Sequence, residues 1–207
     1  ASDVYKRQAK KVVIATGAIE RPLIFSNNDR PGIILSSSIK KYIDYYGVKT
    51  GENISLFTNN DSAYETAISL NKSGVKVKVI IDIRENPSSI LSEKIEKAGI
   101  KILRGHTITN TDGYKRIKSI DVMKLSKDGE NVVGNKTTYK CDCLGISGGW
   151  TPMVHLFTQS GGKLKFRNND NVFIPDENKT PSEQISVGSS NGDLSLIHIS
   201  EPTRPIA

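Results

Sequence analysis

Residue types suited to holding a nucleotide recur along this 207-residue chain. After the apolar run Asn53–Phe57 comes Thr58-x-Asn60-x-x-Ala63, and after the β-branched run Val75–Ile81 come Asp82 and Arg84. Strand, tight turn, helix and a second strand ending on a carboxylate is the order that binds dinucleotides. In that unit G-x-G-x-x-G admits the pyrophosphate to a helix N-terminus and the acid accepts the ribose hydroxyls. Only the third, helix-packing position keeps a small residue here, so a nucleotide has to use the Asn59 and Asn60 amides or sit further from the turn. Asp82 ends the strand and favours NAD, whereas Arg84 would favour the 2′-phosphate of NADP. Two further turns share this chemistry. Lys11–Thr16 runs into Gly17 and Cys141–Ser147 empties into Gly148-Gly149-Trp150, where glycine lets backbone come close to a ligand; Ile185–Asp193 reads as a strand and glycine turn.

Other reactive types stand apart from one another. The sequence shows no Ser-His-Asp set, no paired carboxylates and no metal-spaced cluster, so no catalytic residue is assigned; this is the pattern expected when a cofactor carries the chemistry. His106 is read as an isolated loop histidine. Cys141 and Cys143 alternate on one strand and point to opposite faces, which predicts two buried thiols without a disulfide. Arg21 and Arg30 either meet an anion or bridge to Glu20 and Asp29. Tyr42, Tyr45 and Tyr46 sit at helical spacing and are expected to be half-buried.

The elements that must position these residues follow from periodicity. A helix is predicted over Ser36–Tyr46, with the three serines as caps, and another from Asp61 or Ser62 to Gly74. A third spans Ile90–Ala98, capped by Ser88 or Ser89 and closed by Gly99, before a strand over Ile100–Leu103. Strand, helix, strand, helix, strand is the repeat of a doubly wound parallel sheet. Lys115–Leu125 and Val132–Tyr139 then alternate about Lys127-Asp128-Gly129, which predicts an antiparallel hairpin laid over that sheet. The fold class is α/β, of Rossmann-like type.

Bulk properties bound the rest. Hydrophobic residues make up 36% and charged residues 25%, which suits a soluble chain, and no apolar run reaches a membrane span. With no secretory segment, a cytoplasmic location without a membrane partner is expected. The net charge of +7 comes from scattered lysines without interleaved aromatics, so a solvated surface is preferred over a nucleic-acid partner. The ends read differently. Asp3–Gln8 can be written GAT GTG TAT AAG AGA CAG, whose reverse complement translates as Leu194–Ile199. Such an inverted repeat has no structural purpose and looks like translated sequencing adapter. Residues 1–8 and 194–207, including His198, are therefore set aside as non-native tails. The remainder divides into 9–50, the end of a first nucleotide domain and a crossover; 51–145, a second domain with its hairpin; and 146–193, a return to the first.

Taken together, ATGAIERPL at 15–23, NNDRPG at 27–32, FTNNDSAY at 57–64 and SGGWTPMVHLFTQSGGKL at 147–164 resemble the alpha subunit of heterotetrameric sarcosine oxidase, in order and spacing across 9–193. The resemblance implies a two-domain flavoprotein reductase fold, of which this chain is an internal fragment lacking the upstream glycine fingerprint and a downstream folate-binding domain. It also implies partner subunits that oxidise sarcosine to glycine, make hydrogen peroxide and pass the one-carbon unit to tetrahydrofolate. NAD is then expected with this subunit, and FAD or FMN in the complete complex. Thr16 and Gly17 match the family's ATG turn, and Gly148, Gly149 and Trp150 its GGW turn. Gly188 stands where related reductases follow glycine with a flavin-binding aspartate; Ser189 follows it here, which fits NAD better than flavin. Two alternatives stay open: a subunit of another NAD(P)/FAD-dependent amine or opine dehydrogenase, and a vestigial Rossmann domain that serves only as a subunit scaffold.

Overall fold

The computed structural model describes residues 9–87 and 90–194. The adapter-like tails, apart from Leu194, and the expected caps Ser88 and Ser89 lie outside the described residues. In chain order the elements are β1 (Val12–Ile14), β2 (Ala18–Glu20), β3 (Ile33–Leu35), α1 (Ser36–Tyr46), β4 (Ile54–Thr58), α2 (Ser62–Lys72) and β5 (Val77–Asp82). Then come α3 (Ile90–Lys97), β6 (Ile102–Arg104), β7 (His106–Asp112), β8 (Ser119–Leu125), β9 (Val132–Lys140) and β10 (Cys143–Ser147). β11 (Trp150–Pro152), α4 (His155–Gln159), β12 (Leu164–Arg167), β13 (Val172–Pro175) and β14 (Gln184–Ser186) complete the order.

The chain forms two compact units, one from residues up to Ile19 with those from Trp150 onward, the other spanning Glu20–Gly149. The second unit is therefore wider than the 51–145 expected. The physical reason is strand pairing: β3, with α1 behind it, joins a parallel sheet ordered β3-β10-β4-β5-β6. Every residue of β4 and β10 is buried, as the central strands of a sheet covered on both faces must be. Ile54, Leu56, Ile80 and Cys143 pack with Ile39, Tyr64, Ala67, Leu70 and Ile95 of the three helices. On the opposite face Phe57, Val79, Ile81, Cys141 and Leu144 meet Ile108, Ile120 and Val122. Each such aliphatic side chain contributes roughly 1.5–3 kcal/mol when fully buried. The two cysteines are free and lie in these separate cores, as their alternation predicts.

Three local expectations are corrected. The hairpin is a three-stranded antiparallel sheet, β7-β8-β9, because His106 opens a strand instead of lying in a loop. The serines do not cap α1: its N-cap is Leu35, Ser36 Oγ donates to Thr66 Oγ1, and the buried Glu20 carboxylate accepts the Ser37 amide at 2.8 Å. Tyr42, Tyr45 and Tyr46 are exposed and stack on one another at 4.8 and 6.0 Å, since α1 turns Ile39, not its tyrosines, to the core.

The smaller unit is built on the parallel pair β1–β14, the antiparallel pair β12–β13 and the pair β2–β11. Among its described residues Ile14, Phe157, Val172 and Ile174 are buried apolar side chains.

Candidate functional site

In an open parallel sheet, ligands bind outside the carboxyl ends of the strands, where strand order reverses. In the Glu20–Gly149 unit that place is the exit of β4 and its neighbours β5 and β10, carrying Asn59, Asn60, Asp82, Arg84 and Gly148. The sequence groups Asn59, Asn60, Asp82 and Arg84 in one unit and assigns Gly148 to a separate turn of the first domain; the fold brings all five to one set of strand exits.

Their side chains bind one another. Asn60 Nδ2 donates to the Ser147 carbonyl at 3.1 Å and to Ser147 Oγ at 3.0 Å, tying the exit of β4 to that of β10. Asn60 Oδ1 accepts the Ser62 amide at 2.9 Å. That amide belongs to the first turn of α2, where a phosphate would receive its hydrogen bonds. Neither Asp61 nor Ser62 caps the helix with its side chain, as the sequence suggests; Asn60 does so from one residue further back. Asn59 donates its backbone amide to the Ser147 carbonyl at 3.2 Å. The residue in the second glycine position has closed the turn on itself.

Asp82 is likewise committed. Its side chain is 0% exposed. One oxygen accepts the Arg84 amide at 2.8 Å and Arg84 Nε at 3.1 Å; the other accepts Tyr64 Oη at 2.7 Å and Arg84 Nη2 at 2.8 Å. Arg84 Nη2 also reaches Asp61 Oδ1 at 2.7 Å, and the guanidinium lies 5.9 Å from the Tyr64 ring centre. Burial, then the Asp82 hydrogen bond, raises the Tyr64 hydroxyl above its ordinary value, so it stays a donor. Burial alone would lower Arg84, but the bonds to Asp82 and Asp61 outweigh it and raise it, so the guanidinium stays charged. The expected ribose acceptor thus has no free lone-pair direction, and the residue expected to select a 2′-phosphate is the one that fills it. These residues do not fit a dinucleotide in its usual seat. Tyr64 was missed as a member of this group, because its hydroxyl reaches Asp82 only once α2 lies beside β5; the sequence signal that was available, Arg84 two residues beyond Asp82, points only to their ion pair.

Gly148 and Gly149 have a different explanation from ligand approach. Gly148 donates its amide to the Arg21 carbonyl at 2.7 Å, and the Arg21 amide donates to the Gly149 carbonyl at 2.8 Å. A Cβ on Gly148 would fall 2.8 Å from the Pro22 carbonyl oxygen, and one on Gly149, whose φ is +95°, 2.9 Å from Arg21 Nη2. The Arg21–Pro22 segment takes up the space that glycine provides, with its backbone at Gly148 and with the Arg21 guanidinium at Gly149. Trp150 is half-buried in β11. Arg30 also turns inward, to Thr111 Oγ1 and its carbonyl at 3.3 Å each.

In the smaller unit β1 and β14 run parallel with Ile14 beside Ser186, so Thr16-Gly17 and Gly188 leave the same carboxyl edge. Val187 donates its amide to the Ile14 carbonyl, which Ser190 Oγ also reaches at 3.0 Å. Thr16 Oγ1 donates to the Met153 carbonyl at 2.6 Å, and Met153 returns its amide to the Gly17 carbonyl at 2.9 Å. Gly17 (φ +75°) and Gly188 (φ +64°) are both left-handed, and a Cβ at either would meet nothing within 4 Å. This edge, unlike the first, has open space beside both of its glycines.

A model of the family described as pyridine nucleotide-disulphide oxidoreductase matches residues 2–188. The chain is 37% identical over 175 residues to the sarcosine oxidase subunit alpha of Corynebacterium sp. (strain P-1), covering 84% of this chain and 18% of that one. It is 35% identical over 155 residues to the subunit alpha of Rhizobium meliloti (strain 1021), covering 75% and 14%. The chain therefore spans less than a fifth of the length of these relatives. Among solved structures, T. acidophilum thioredoxin reductase aligns with a TM-score of 0.66 at 18% identity, over 90% of this chain and 58% of that one. The L-proline dehydrogenase of P.horikoshii aligns at 0.57 and 23% identity, over 88% and 30%. The expected resemblance to sarcosine oxidase alpha subunits is borne out, and so is the two-dinucleotide-binding-domain reductase fold.

Proposed function

The chain belongs to the pyridine nucleotide-disulphide oxidoreductase family, and on that premise we propose that it is part of the alpha subunit of a multi-subunit sarcosine oxidase in which the Glu20–Gly149 unit is a scaffold and not a nucleotide site. The observation that carries the reading is Asn60, which spends its amide on Ser147 and its carbonyl on the first turn of α2. A pyrophosphate would have to displace both. Nucleotide contact then falls to the edge formed by Thr16, Gly17 and Gly188, and Ser189, which lacks a carboxylate for ribityl hydroxyls, favours NAD over FAD there. A bound nicotinamide or flavin would supply the electron-transfer chemistry; the residues of this chain would hold and orient it. Oxidation of sarcosine and the partner subunits rest on the likeness to the named relatives, and methylene transfer to tetrahydrofolate on the family resemblance of the sequence.

The deciding experiment is an NAD titration of the intact subunit by calorimetry. Asp82→Ala should leave the dissociation constant within about twofold of wild type, because its lone pairs are already committed, whereas Gly17→Val should weaken binding at least about tenfold by filling the open edge. Loss of binding in Asp82→Ala with no effect of Gly17→Val would overturn the scaffold reading. Peroxide release on sarcosine by the assembled enzyme tests the substrate assignment separately.

A further inference from the structure

The β7-β8-β9 layer leaves a recess of about 300 Å³ at the rim where it faces the edge strand β6. Alternation decides what lines it. Lys101 and Leu103 reach it from the β6 segment, Val122 and Lys124 from β8, and Val133, Thr137 and Tyr139 from one face of β9. The other face of β9 is engaged elsewhere, with Lys136 and Thr138 both held by Asp121. The recess thus has an apolar floor of Leu103 and Val122 under a polar wall.

That wall is cationic without a counter-charge. His106 stands directly opposite Lys124 in the β7–β8 ladder, so imidazole and ammonium share one face. His106 Nδ1 is satisfied by the Arg104 carbonyl at 2.6 Å, so Nε2 is the nitrogen left for other partners. Lys101 is held at 3.2 Å from Tyr139 Oη, with its ammonium 5.6 Å from that ring's centre. No aspartate or glutamate lines the recess, and neither Lys101 nor Lys124 forms an ion pair among the described residues. An anion seated here would meet the Lys101 and Lys124 ammonium groups, neither of them in an ion pair among the described residues, with His106 Nε2 as a further hydrogen-bond partner.

We propose that this recess binds a small organic anion, its phosphate or carboxylate held by Lys101, Lys124 and His106 and its apolar body on Leu103 and Val122. None of its lining residues belongs to the strand exits considered for a nucleotide, so its test is independent of the scaffold reading. The probes are phenyl phosphate, 3-phenylpropionate and inorganic phosphate, titrated into the full chain and followed by calorimetry and by shifts of the His106 and Tyr139 ring resonances. Saturable binding of phenyl phosphate or of 3-phenylpropionate, at least about fivefold tighter than inorganic phosphate, is expected, and the tighter of the two identifies the head group. Lys101→Ala with Lys124→Ala should weaken it at least about tenfold. Val133→Asp, a carboxylate set at the exposed rim, should abolish it with the melting temperature kept. Lys140→Ala removes one charge from the opposite face of β9 and should change nothing. Equal losses in Lys140→Ala and the double variant would reduce the effect to net charge and overturn the proposal. So would the absence of saturable binding, or inorganic phosphate binding as tightly as the aromatic probes.

Discussion

Asp82 shows how a residue type suited to one task is held to another. A carboxylate with no solvent exposure must have its lone pairs occupied, and Tyr64, the Arg84 amide and the Arg84 side chain do this. Arg84→Ala removes the charge partner and leaves the carboxylate buried, so it should destabilise the Glu20–Gly149 unit by roughly 3 kcal/mol, read as a fall in the urea midpoint at unchanged m-value. A change below about 0.5 kcal/mol would mean that solvent, not Arg84, compensates Asp82. Asp142 allows a pH prediction. Desolvation pushes its carboxyl up, but the amides of Asn53 and Glu52, at 2.8 and 2.9 Å, outweigh this and hold it below its ordinary 3.8. A lowered folded value means stability that is complete above the unfolded value and lost as pH falls through the folded one. Asp142→Asn should therefore lose less stability than wild type as pH falls from the ordinary carboxylate value through the folded one, read as the gap between their acid limbs. Identical acid limbs for the two proteins would refute this.

At the scale of elements, the turn after β4 and the turn after β10 form one structure, joined through Asn60 and Ser147. Asn60→Gly restores the usual second glycine and frees the Ser62 amide, but removes the tie to Ser147 and the side-chain bond from Asn60 Oδ1 to the first turn of α2. It should cost about 1–2 kcal/mol by thermal melting. Gly148→Ala is expected to cost more, about 2–4 kcal/mol, because the Pro22 carbonyl 2.8 Å from the new methyl is backbone and cannot rotate away. A stable Gly148→Ala protein would show that the Arg21–Pro22 loop moves freely. The elements were mostly legible: α1 spans the predicted Ser36–Tyr46, β4 and β5 fall within a residue or two of their apolar runs, and Gly74 takes the left-handed turn after α2. What misled was capping. Several Ser and Asp residues stood at helix starts, and which one bonds depends on neighbours such as Glu20 that arrive from elsewhere in the chain.

For the molecule as a whole, the division into two units is set by where apolar surface is buried. The Glu20–Gly149 unit has a core on each face of one sheet, whereas the other unit buries few large side chains and leaves Val12, Val13, Ile19 and Phe173 exposed. Local opening should follow this difference. Amides of β4, β5 and β10 are expected to exchange slowest, at the global unfolding free energy, and those of β1 and β14 at least about tenfold faster by native-state hydrogen exchange. Equal protection in both units would mean that they unfold as one.

The sequence alone determined the α/β class, the strand–helix–strand unit over 53–84, the separation of Cys141 and Cys143 and the resemblance across 9–193, because periodicity, turn glycines and ordered motifs are local properties. Tertiary structure alone decided what the strand exits do. Asn60, Asp82 and Arg84 look like ligand contacts in sequence since their types and spacing suit a nucleotide. Whether their hydrogen bonds point outward or to Ser147, Tyr64 and Asp61 depends on β10 and α2 arriving beside them. Gly17 and Gly188 are separated by most of the chain, and only the β1–β14 pairing puts them on one open edge.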